Sequence, residues 1–115
     1  MSSDIVQLAD TQLNAYNRAD LAAFCACYHP DVVVYDESGQ ETLRGASAFR
    51  ARYAPMFTRG HFGAEVTERI SVGEHCVDLE RYWRKAVEGQ EATNGEVLVR
   101  YRLKDGLIGE VQFLR

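Results

Sequence analysis

The segment 16–36, YNRADLAAFCACYHPDVVVYD, restricts the fold of this chain more than any other part of it. Asp20 is predicted to cap a short helix, and Pro30 disfavours continuation of that helix past His29. The run VVVY that follows is rich in β-branched residues and predicts a strand, which ends at the carboxylate of Asp36. The segment therefore joins a helical part of the chain to a sheet.

Helical periodicity flanks this segment on both sides. Before it, apolar residues recur at helical spacing over 4–18 and predict an amphipathic first helix. After a loop predicted over 37–42, Phe49, Tyr53 and Phe57 recur every four residues and define the buried face of a third helix. Pro55 lies inside that pattern and should kink the helix or end it early. The predicted helices thus all lie in the N-terminal half.

The C-terminal half alternates between apolar and polar residues, which predicts strands. The connections are predicted to be a tight turn at Gly73-Glu74, a polar loop over 88–95 and a two-residue hairpin turn at Asp105-Gly106. The strands themselves are predicted over 62–72, 76–86, 96–103 and 107–114. Helices followed by an antiparallel meander predict one α+β domain over 1–115, with helices packed on one face of a curved sheet.

Charge and composition argue against several classes of partner. The chain has 115 residues, a formal net charge of -4 and a pI near 5.3, so it has no electrostatic attraction for nucleic acid or anionic membranes. It shows neither a signal-peptide pattern nor the roughly 20 apolar residues of a membrane span, so a soluble cytoplasmic protein is expected. Cys25, Cys27 and Cys76 are an odd number of cysteines, which indicates free structural thiols in a reducing compartment.

Alternation also sorts the side chains of each predicted strand onto two faces. In the strand over 76–86 the odd positions are mostly apolar, whereas even positions such as Glu80 and Arg84 are charged, so the odd face is predicted to point inward. Arg81 then lies on an otherwise apolar inner face, beside Trp83. In the last two strands the predicted inner residues are Val97, Val99, Tyr101, Leu103, Val111 and Phe113.

The pattern YNRADL, then FCACYHPDVVVYD, then a Gly-containing loop and LRGASAFRARY resembles the nuclear-transport-factor-2-like superfamily of small cone-shaped α+β proteins. Within it the chain is most similar to the SnoaL-like polyketide cyclases and the ketosteroid isomerases, over nearly its whole length. The resemblance implies three N-terminal helices on a curved, mainly antiparallel sheet that encloses one apolar pocket. It also implies a homodimer paired through the outer sheet face, where Cys76, Tyr82 and Leu98 are expected to lie.

Asp36 is the first candidate for chemistry. In the ketosteroid isomerases the residue at this place is the general base, and the spacing from Asp20 to Asp36 reproduces theirs without a gap, so the resemblance implies this role here. Partial desolvation at a pocket mouth would raise the pKa of Asp36 toward the range for proton transfer, whereas a nearby Arg81 would lower it. The alternative is a strand-end residue that only starts the turn over 37–39.

The oxyanion donors of those isomerases match Gln12 and Val99 in this chain, so true steroid isomerase activity is not expected. Tyr16, one turn after Gln12 on the same helix face, could supply a phenolic hydroxyl instead, or could be a core tyrosine.

Arg81 is predicted to hold developing negative charge, because a buried guanidinium needs a carboxylate or an anionic ligand. The alternative is a structural ion pair with Asp36 or with Glu68, which is predicted to share the face of Val66 and Ile70. The remaining predicted pocket residues are either ligand contacts or plain core: Gln12, Phe24, Phe49, Tyr53, Phe57, Trp83, Val99, Tyr101 and Phe113.

Three functions fit these predictions. The first is a cofactor-independent enzyme that isomerises, cyclises, hydrates or dehydrates a small hydrophobic molecule, with Asp36 moving a proton and Arg81 or Tyr16 holding negative charge. The second is a non-catalytic binding protein that uses the same pocket. The third is a scaffold whose sheet face binds a partner. The sequence has no metal-ligand spacing, phosphate loop or nucleophile motif, so neither a metal nor a cofactor is expected.

Overall fold

The computed structural model describes residues 4–86, 89 and 91–115. Within them the chain forms three helices and six strands. In chain order these are α1 (Asp4–Asn17), α2 (Leu21–Cys25), β1 (Tyr28–Tyr35), β2 (Glu41–Arg44), α3 (Ala46–Arg59), β3 (Phe62–Val72), β4 (His75–Arg84), β5 (Thr93–Lys104) and β6 (Leu107–Leu114). None of the helices in these described ranges is both long and apolar enough to cross a membrane.

The six strands form one sheet in the order β2-β1-β6-β5-β4-β3. Neighbouring strands are antiparallel except β1 and β6, which run parallel. The predicted hairpin joins β5 to β6 through Asp105 and Gly106, whose φ angles of 49° and 79° are the positive values that such a turn requires. The predicted α+β architecture of three helices on a mainly antiparallel sheet is confirmed.

The helices cover one face of the sheet and enclose an aromatic core. Helix α1 packs across β3 to β6, whereas α3 packs on β1 and β2. The ring of Phe24 on α2 lies 5.1 Å from that of Tyr28, 5.7 Å from Phe49 and 5.1 Å from Phe57 between centroids. Burying an apolar side chain of this size contributes roughly 1.5–3 kcal/mol. The aromatic repeat of α3 is therefore the stripe that holds it against α2.

Helix α2 is shorter than predicted. Asp20 caps it as expected, because its carboxylate accepts a hydrogen bond from the Ala23 N–H at 3.1 Å. The helix nevertheless ends at Cys25 and not at His29, so the predicted length is wrong.

The chain around β1 departs from the prediction in two further ways. Strand β1 begins at Tyr28 and contains Pro30, which lies where pairing with β6 is irregular, between Tyr28 and Val33. A proline there removes no regular ladder hydrogen bond, so the strand tolerates it. Strand β2 overlaps the loop predicted over 37–42, and it was missed because only Leu43 of its four residues is buried.

Pro55 was predicted to kink α3 or to end it early, and the early end does not occur, since the helix continues to Arg59. The turn after Pro55 is held by the buried ring of Phe57 and by the Gly60 N–H, which donates to the Met56 carbonyl at 3.0 Å.

The boundaries of the C-terminal strands agree with the prediction in part. Strands β3 and β6 match their predicted ranges, and the tight turn at Gly73-Glu74 joins β3 to β4. Strand β5 begins at Thr93, ahead of the predicted start at residue 96. Of the loop predicted over 88–95, residues 88 and 90 lie outside the described residues and 93–95 belong to β5.

The face of strand β4 that points toward the helices is the opposite of the predicted one. Its register with β5 pairs Asp78 with Val99 and Glu80 with Val97, and directly paired residues share a face. Val97 and Val99 are 5% and 1% exposed on the helix-facing side, so the even positions of β4 point inward. The prediction of an inner odd face is wrong, because the apolar odd residues cover the outer face of the sheet.

This reversal also changes the predicted outer face. Cys76 is fully buried, and Tyr82 lines the inner side of the sheet, so two of the three residues expected outside lie inside. Only Leu98 is exposed as predicted.

Strand β3 contains one extra residue, Thr67. Val66 pairs with Glu80 and Glu68 pairs with Leu79, which leaves Thr67 without a partner in the ladder. Beyond this bulge the faces of β3 are exchanged, so Glu68 lies on the outer face and the prediction that it shares the face of Val66 is wrong. The same exchange turns Arg69 inward.

Candidate functional site

A cavity lies between the helices and the inner face of the sheet. Its volume is about 100 Å³. A cavity of ~150 Å³ binds benzene, so this one takes a group of about one ring unless the ligand extends through its opening. Half of the residues that line it are aromatic, and the full lining is Gln12, Leu13, Tyr16, Phe24, Tyr28, Tyr53, Met56, Glu80, Tyr82, Arg84, Val97, Tyr101, Phe113 and Arg115.

Gln12 of α1 joins two phenols inside this cavity. Its Nε2 donates to the Ala9 carbonyl at 3.0 Å and to the Tyr101 hydroxyl oxygen at 3.1 Å, and its Oε1 accepts from the Tyr28 hydroxyl at 3.1 Å. Because a carbonyl can only accept, the contact with Ala9 fixes the orientation of the amide. Tyr101 therefore accepts a hydrogen bond from Gln12, and its own hydroxyl hydrogen is not used in that contact.

Glu80 projects from the inner face of β4 into the cavity. Burial raises its pKa to about 7; the negative charge of Asp78 also raises it, and Arg115 lowers it. In the part of the chain that the structure describes, no cation forms an ion pair with Glu80. A carboxyl group with a pKa near neutrality can both accept and return a proton.

The phenols around Glu80 are held in their protonated form. Burial raises the pKa of Tyr16 to about 12 and raises the pKa of Tyr53 and Tyr101 above its ordinary value. The negative charge of Glu80 acts in the same direction on all three. They are therefore hydrogen-bond donors at every physiological pH, and Tyr101 is the one whose acceptor side is already occupied.

Arg84 at the end of β4 and Arg115 after β6 are the exposed residues of the cavity lining, so the cavity opens between them at what we call the cavity mouth. Each guanidinium lies over a ring of the cavity wall, with Arg84 Cζ 5.6 Å from the Tyr82 centroid and Arg115 Cζ 5.4 Å from that of Phe113. A ligand entering the cavity thus passes two cations.

The structure brings five of the nine predicted pocket residues together with the catalytic candidate Tyr16. The predicted residues that line the cavity are Gln12, Tyr16, Phe24, Tyr53, Tyr101 and Phe113. Phe49, Phe57 and Val99 are instead buried core residues outside its lining. Tyr16 packs its ring 4.6 Å from Phe62, so it serves both the core and the cavity wall.

Arg81 and Trp83 do not belong to this cavity. Both lie at odd positions of β4, on the outer face of the sheet, so the prediction that they face inward is wrong. The Arg81 side chain is 59% exposed, and its Nε lies 3.6 Å from Glu96 Oε2. Arg81 therefore pairs with neither Asp36 nor Glu68, but with a residue of β5.

Asp36 occupies the turn between β1 and β2. Its Oδ1 accepts from the Ser38 N–H at 2.9 Å, the Ser38 hydroxyl at 2.6 Å and the Gln40 N–H at 3.0 Å. These hydrogen bonds, led by that from the Ser38 hydroxyl, lower the pKa of Asp36. The carboxylate is thus directed to its own turn and is absent from the cavity lining. The desolvated setting expected for a general base is not present, and the strand-end alternative describes its contacts.

Glu80, Tyr82 and the two mouth arginines were missed as site residues. The signal that could have found them is the register with β5, because the inner residues of β5 were predicted correctly. Within the described ranges, no three His, Cys, Asp or Glu side chains converge as a metal site would require. The cysteines are free thiols, with Cys27 and Cys76 buried.

Solved structures of low sequence identity share this fold. A cystatin-fold protein from Novosphingobium aromaticivorans is 22% identical and covers 100% of both chains, with a TM-score of 0.88. A Mycobacterium tuberculosis protein in complex with estradiol-17beta-hemisuccinate is 14% identical over 99% of this chain and 95% of that one, with a TM-score of 0.85. The Delta 5-3-ketosteroid isomerase from Mycobacterium sp. is 16% identical over 97% and 92%, with a TM-score of 0.84. These similarities establish the fold alone.

No curated protein matches the chain in sequence. The family model of the SnoaL-like domain matches residues 9–111, which is nearly the whole chain. The resemblance predicted from the sequence, to the nuclear-transport-factor-2-like superfamily and its SnoaL-like members, is confirmed. The chain belongs to the SnoaL-like domain family.

Proposed function

We propose that the chain binds a small, largely apolar molecule in the cavity and that Glu80 moves a proton on it. The observation that carries this proposal is the position of the Glu80 carboxyl group in a cavity rich in aromatic residues, with no ion-pair partner among the described residues, where burial raises its pKa to about 7. Near neutral pH such a group is present in both protonation states. Isomerisation, aldol-type cyclisation, and hydration or dehydration all need one proton removed and one returned, so they are the reaction classes that fit.

Tyr101 is the residue best placed to stabilise negative charge that develops on a carbonyl oxygen of the substrate. Its ring lines the cavity, and the hydrogen bond from Gln12 leaves its own hydrogen available for an oxyanion. Removing one donor of this kind costs on the order of 3 kcal/mol in the transition state. Gln12 is a positioning residue in this scheme, since it acts on the substrate only through Tyr101.

Ligands of proteins with the same fold support a small molecule as the occupant. One relative was solved in complex with estradiol-17beta-hemisuccinate and another was co-crystallised with polyporic acid. The cavity of this chain, about 100 Å³, calls for a smaller ligand or for one that extends past the cavity mouth.

The test is a screen of small enones and β-keto compounds with the wild-type chain, Glu80→Gln and Asp36→Asn. We expect Glu80→Gln to reduce turnover by roughly 10²–10⁴-fold, the usual contribution of a positioned acid or base, and to leave ligand affinity within a few fold. Asp36→Asn is the matched carboxylate control and should retain turnover. If no compound is turned over and Glu80→Gln changes affinity alone, the enzyme proposal fails and a non-catalytic binding protein is the function.

We also propose that two copies pair through the outer face of the sheet. Ile70 and Val72 on β3 are 73% and 77% exposed, and Leu98 and Trp83 on the same face are 40% and 38% exposed. Apolar side chains clustered on one face are typical of protein interfaces. Light scattering should give the mass of a dimer for the wild type and of a monomer for Ile70→Glu. A monomeric wild type would contradict this pairing.

A further inference from the structure

We propose that the ligand is an amphipathic carboxylic acid, with its ring in the aromatic cavity and its carboxylate bound by the arginines of the cavity mouth. This inference rests on the proposed binding of a small molecule in the cavity and names its chemical class.

The strand geometry directs both arginines to the cavity side. Arg84 is the next even residue after Glu80 and Tyr82 on β4, and the even positions of β4 face the helices. Arg115 follows Phe113 at the alternate position after β6, and Phe113 pairs with the inward Val99. The inward-facing positions along both strands therefore end in an arginine at the same opening. Neither strand needs a charged residue there for its pairing.

Neither cation forms an ion pair with a carboxylate of the described residues, although the charge of Arg115 lowers the pKa of Glu80. Arg69, Arg81 and Arg100 each lie within ion-pair distance of a carboxylate, as do Arg18, Arg44 and Arg102. Among the described residues, Arg84 and Arg115 have no such carboxylate and contact aromatic rings instead. Arg50, Arg52 and Arg59 of α3 also have no ion pair among the described residues, but none of them lines the cavity, whereas Arg84 and Arg115 both do. Their planar donor groups suit a carboxylate, which they can bind through two parallel hydrogen bonds.

The interior of the cavity suits the rest of such a ligand. Its wall carries the rings of Phe24, Tyr53 and Phe113, and its volume of about 100 Å³ limits the apolar body to about one ring. Glu80 lies deeper than the mouth on the same strand, and the raised pKa of about 7 keeps it largely uncharged in mildly acidic solution. An anion at the mouth then meets two cations and no facing negative charge from β4.

The experiment compares cinnamate with cinnamamide, which has the same ring and length but no charge, by calorimetric titration at about pH 6, where cinnamate is ionised. We expect the wild type to bind cinnamate about tenfold or more tightly than cinnamamide, as one charge-assisted hydrogen-bonded pair provides. Arg84→Gln and Arg115→Gln should each reduce that preference and the double variant should abolish it, while affinity for cinnamamide stays within a few fold. Arg81→Gln removes the same charge from the outer face and should leave the preference unchanged.

The possible failures are distinguishable. Equal binding of acid and amide by the wild type would overturn the carboxylate assignment and leave cavity binding intact. An equal loss of preference in Arg81→Gln would overturn it in favour of a general charge effect. Val97→Phe fills the cavity, so cinnamate binding that survives this substitution in a folded variant would place the anion site on the surface and overturn the proposal. Absence of binding by both probes would overturn this proposal together with cavity binding.

Discussion

Arg69 and Asp78 form a two-point ion pair between β3 and β4, with Nε 2.6 Å from Oδ1 and Nη2 2.9 Å from Oδ2. The third nitrogen, Nη1, lies 2.6 Å from Oδ1 of Asp10 on α1. The Asp78 side chain is fully buried, whereas that of Asp10 is 60% exposed. A carboxylate can be buried so completely only because the guanidinium neutralises it. One arginine thus fixes two strands and a helix to one another.

The two acids of this triad should differ sharply in their contribution to stability. Asp78→Asn leaves the Arg69 charge without its buried partner and should lower the free energy of unfolding by about 3–5 kcal/mol. Asp10→Asn removes an exposed contact of the same guanidinium and should cost about 1 kcal/mol or less. Urea unfolding of both variants measures the difference. Similar losses in the two variants would contradict a buried ion pair as the main support of the β3–β4 hairpin.

The stability of the folded chain should decrease as the pH rises, because of Glu80. Its pKa is raised in the folded chain from 4.5 to about 7, so between these values the unfolded chain has lost a proton that the folded chain keeps. The free energy of unfolding should therefore decrease from pH 4.5 to pH 7, by about 3 kcal/mol in total, and be flat above pH 7. Urea unfolding of wild type and Glu80→Gln across this range isolates the effect, since the variant lacks it. Parallel pH profiles for the two proteins would show that Glu80 titrates normally.

The carboxyl group of Asp36 should titrate below the ordinary aspartate value of 3.8, because three hydrogen bonds from its own turn stabilise the ionised form. The carboxyl carbon shift in an NMR pH titration measures this pKa, with Asp36→Asn to assign the signal. The substitution should also leave cinnamate affinity unchanged. A pKa of about 5.5 or higher would restore Asp36 as a candidate for proton transfer.

Gly95 should control the shape of the cavity. It pairs with Tyr82 across β4 and β5, and a methyl group at Gly95 would overlap the Tyr82 hydroxyl and ring. Gly95→Ala should therefore displace the Tyr82 ring and weaken cinnamamide binding about tenfold. The matched control is Gly63→Ala, whose methyl group would overlap the ring of Trp83 on the outer face. Both variants should lose stability, and only Gly95→Ala should lose affinity; equal affinities would remove Tyr82 from the binding site.

The fold was predictable because the spacing of apolar residues indicates each helix and strand even where one of its boundaries is predicted wrongly. Phe49 and Phe57 mark the buried face of α3 whether or not Pro55 ends it, and Asp105-Gly106 fixes a hairpin by its turn chemistry alone. The inner residues of β5 and β6 were also predicted, since their apolar alternation is clean.

The site was not predictable to the same degree, because its chemistry depends on register. Both faces of β4 carry apolar and charged residues, and Asp78 is buried through its contact with Arg69, whose position opposite it depends on the bulge at Thr67. Counting apolar residues therefore selected the wrong face, placing Arg81 inside and Glu80 outside. Spacing alone gave Asp36 a role that the hydrogen bonds of its turn do not support.

The extra residue at Thr67 determines which residues of β3 face the interior. If Thr67 took a place in the ladder opposite Leu79, every later residue of β3 would move to the other face. Ile70 would then enter the interior and Arg69 would leave it, so that Asp78 would be buried without a cation. Deleting Thr67 would instead remove the bulge and keep the pairing of Arg69 with Asp78. Relatives that are one residue shorter at this point are therefore expected to keep the same buried charges, and equivalent residues in them must be assigned by strand pairing and not by ungapped alignment.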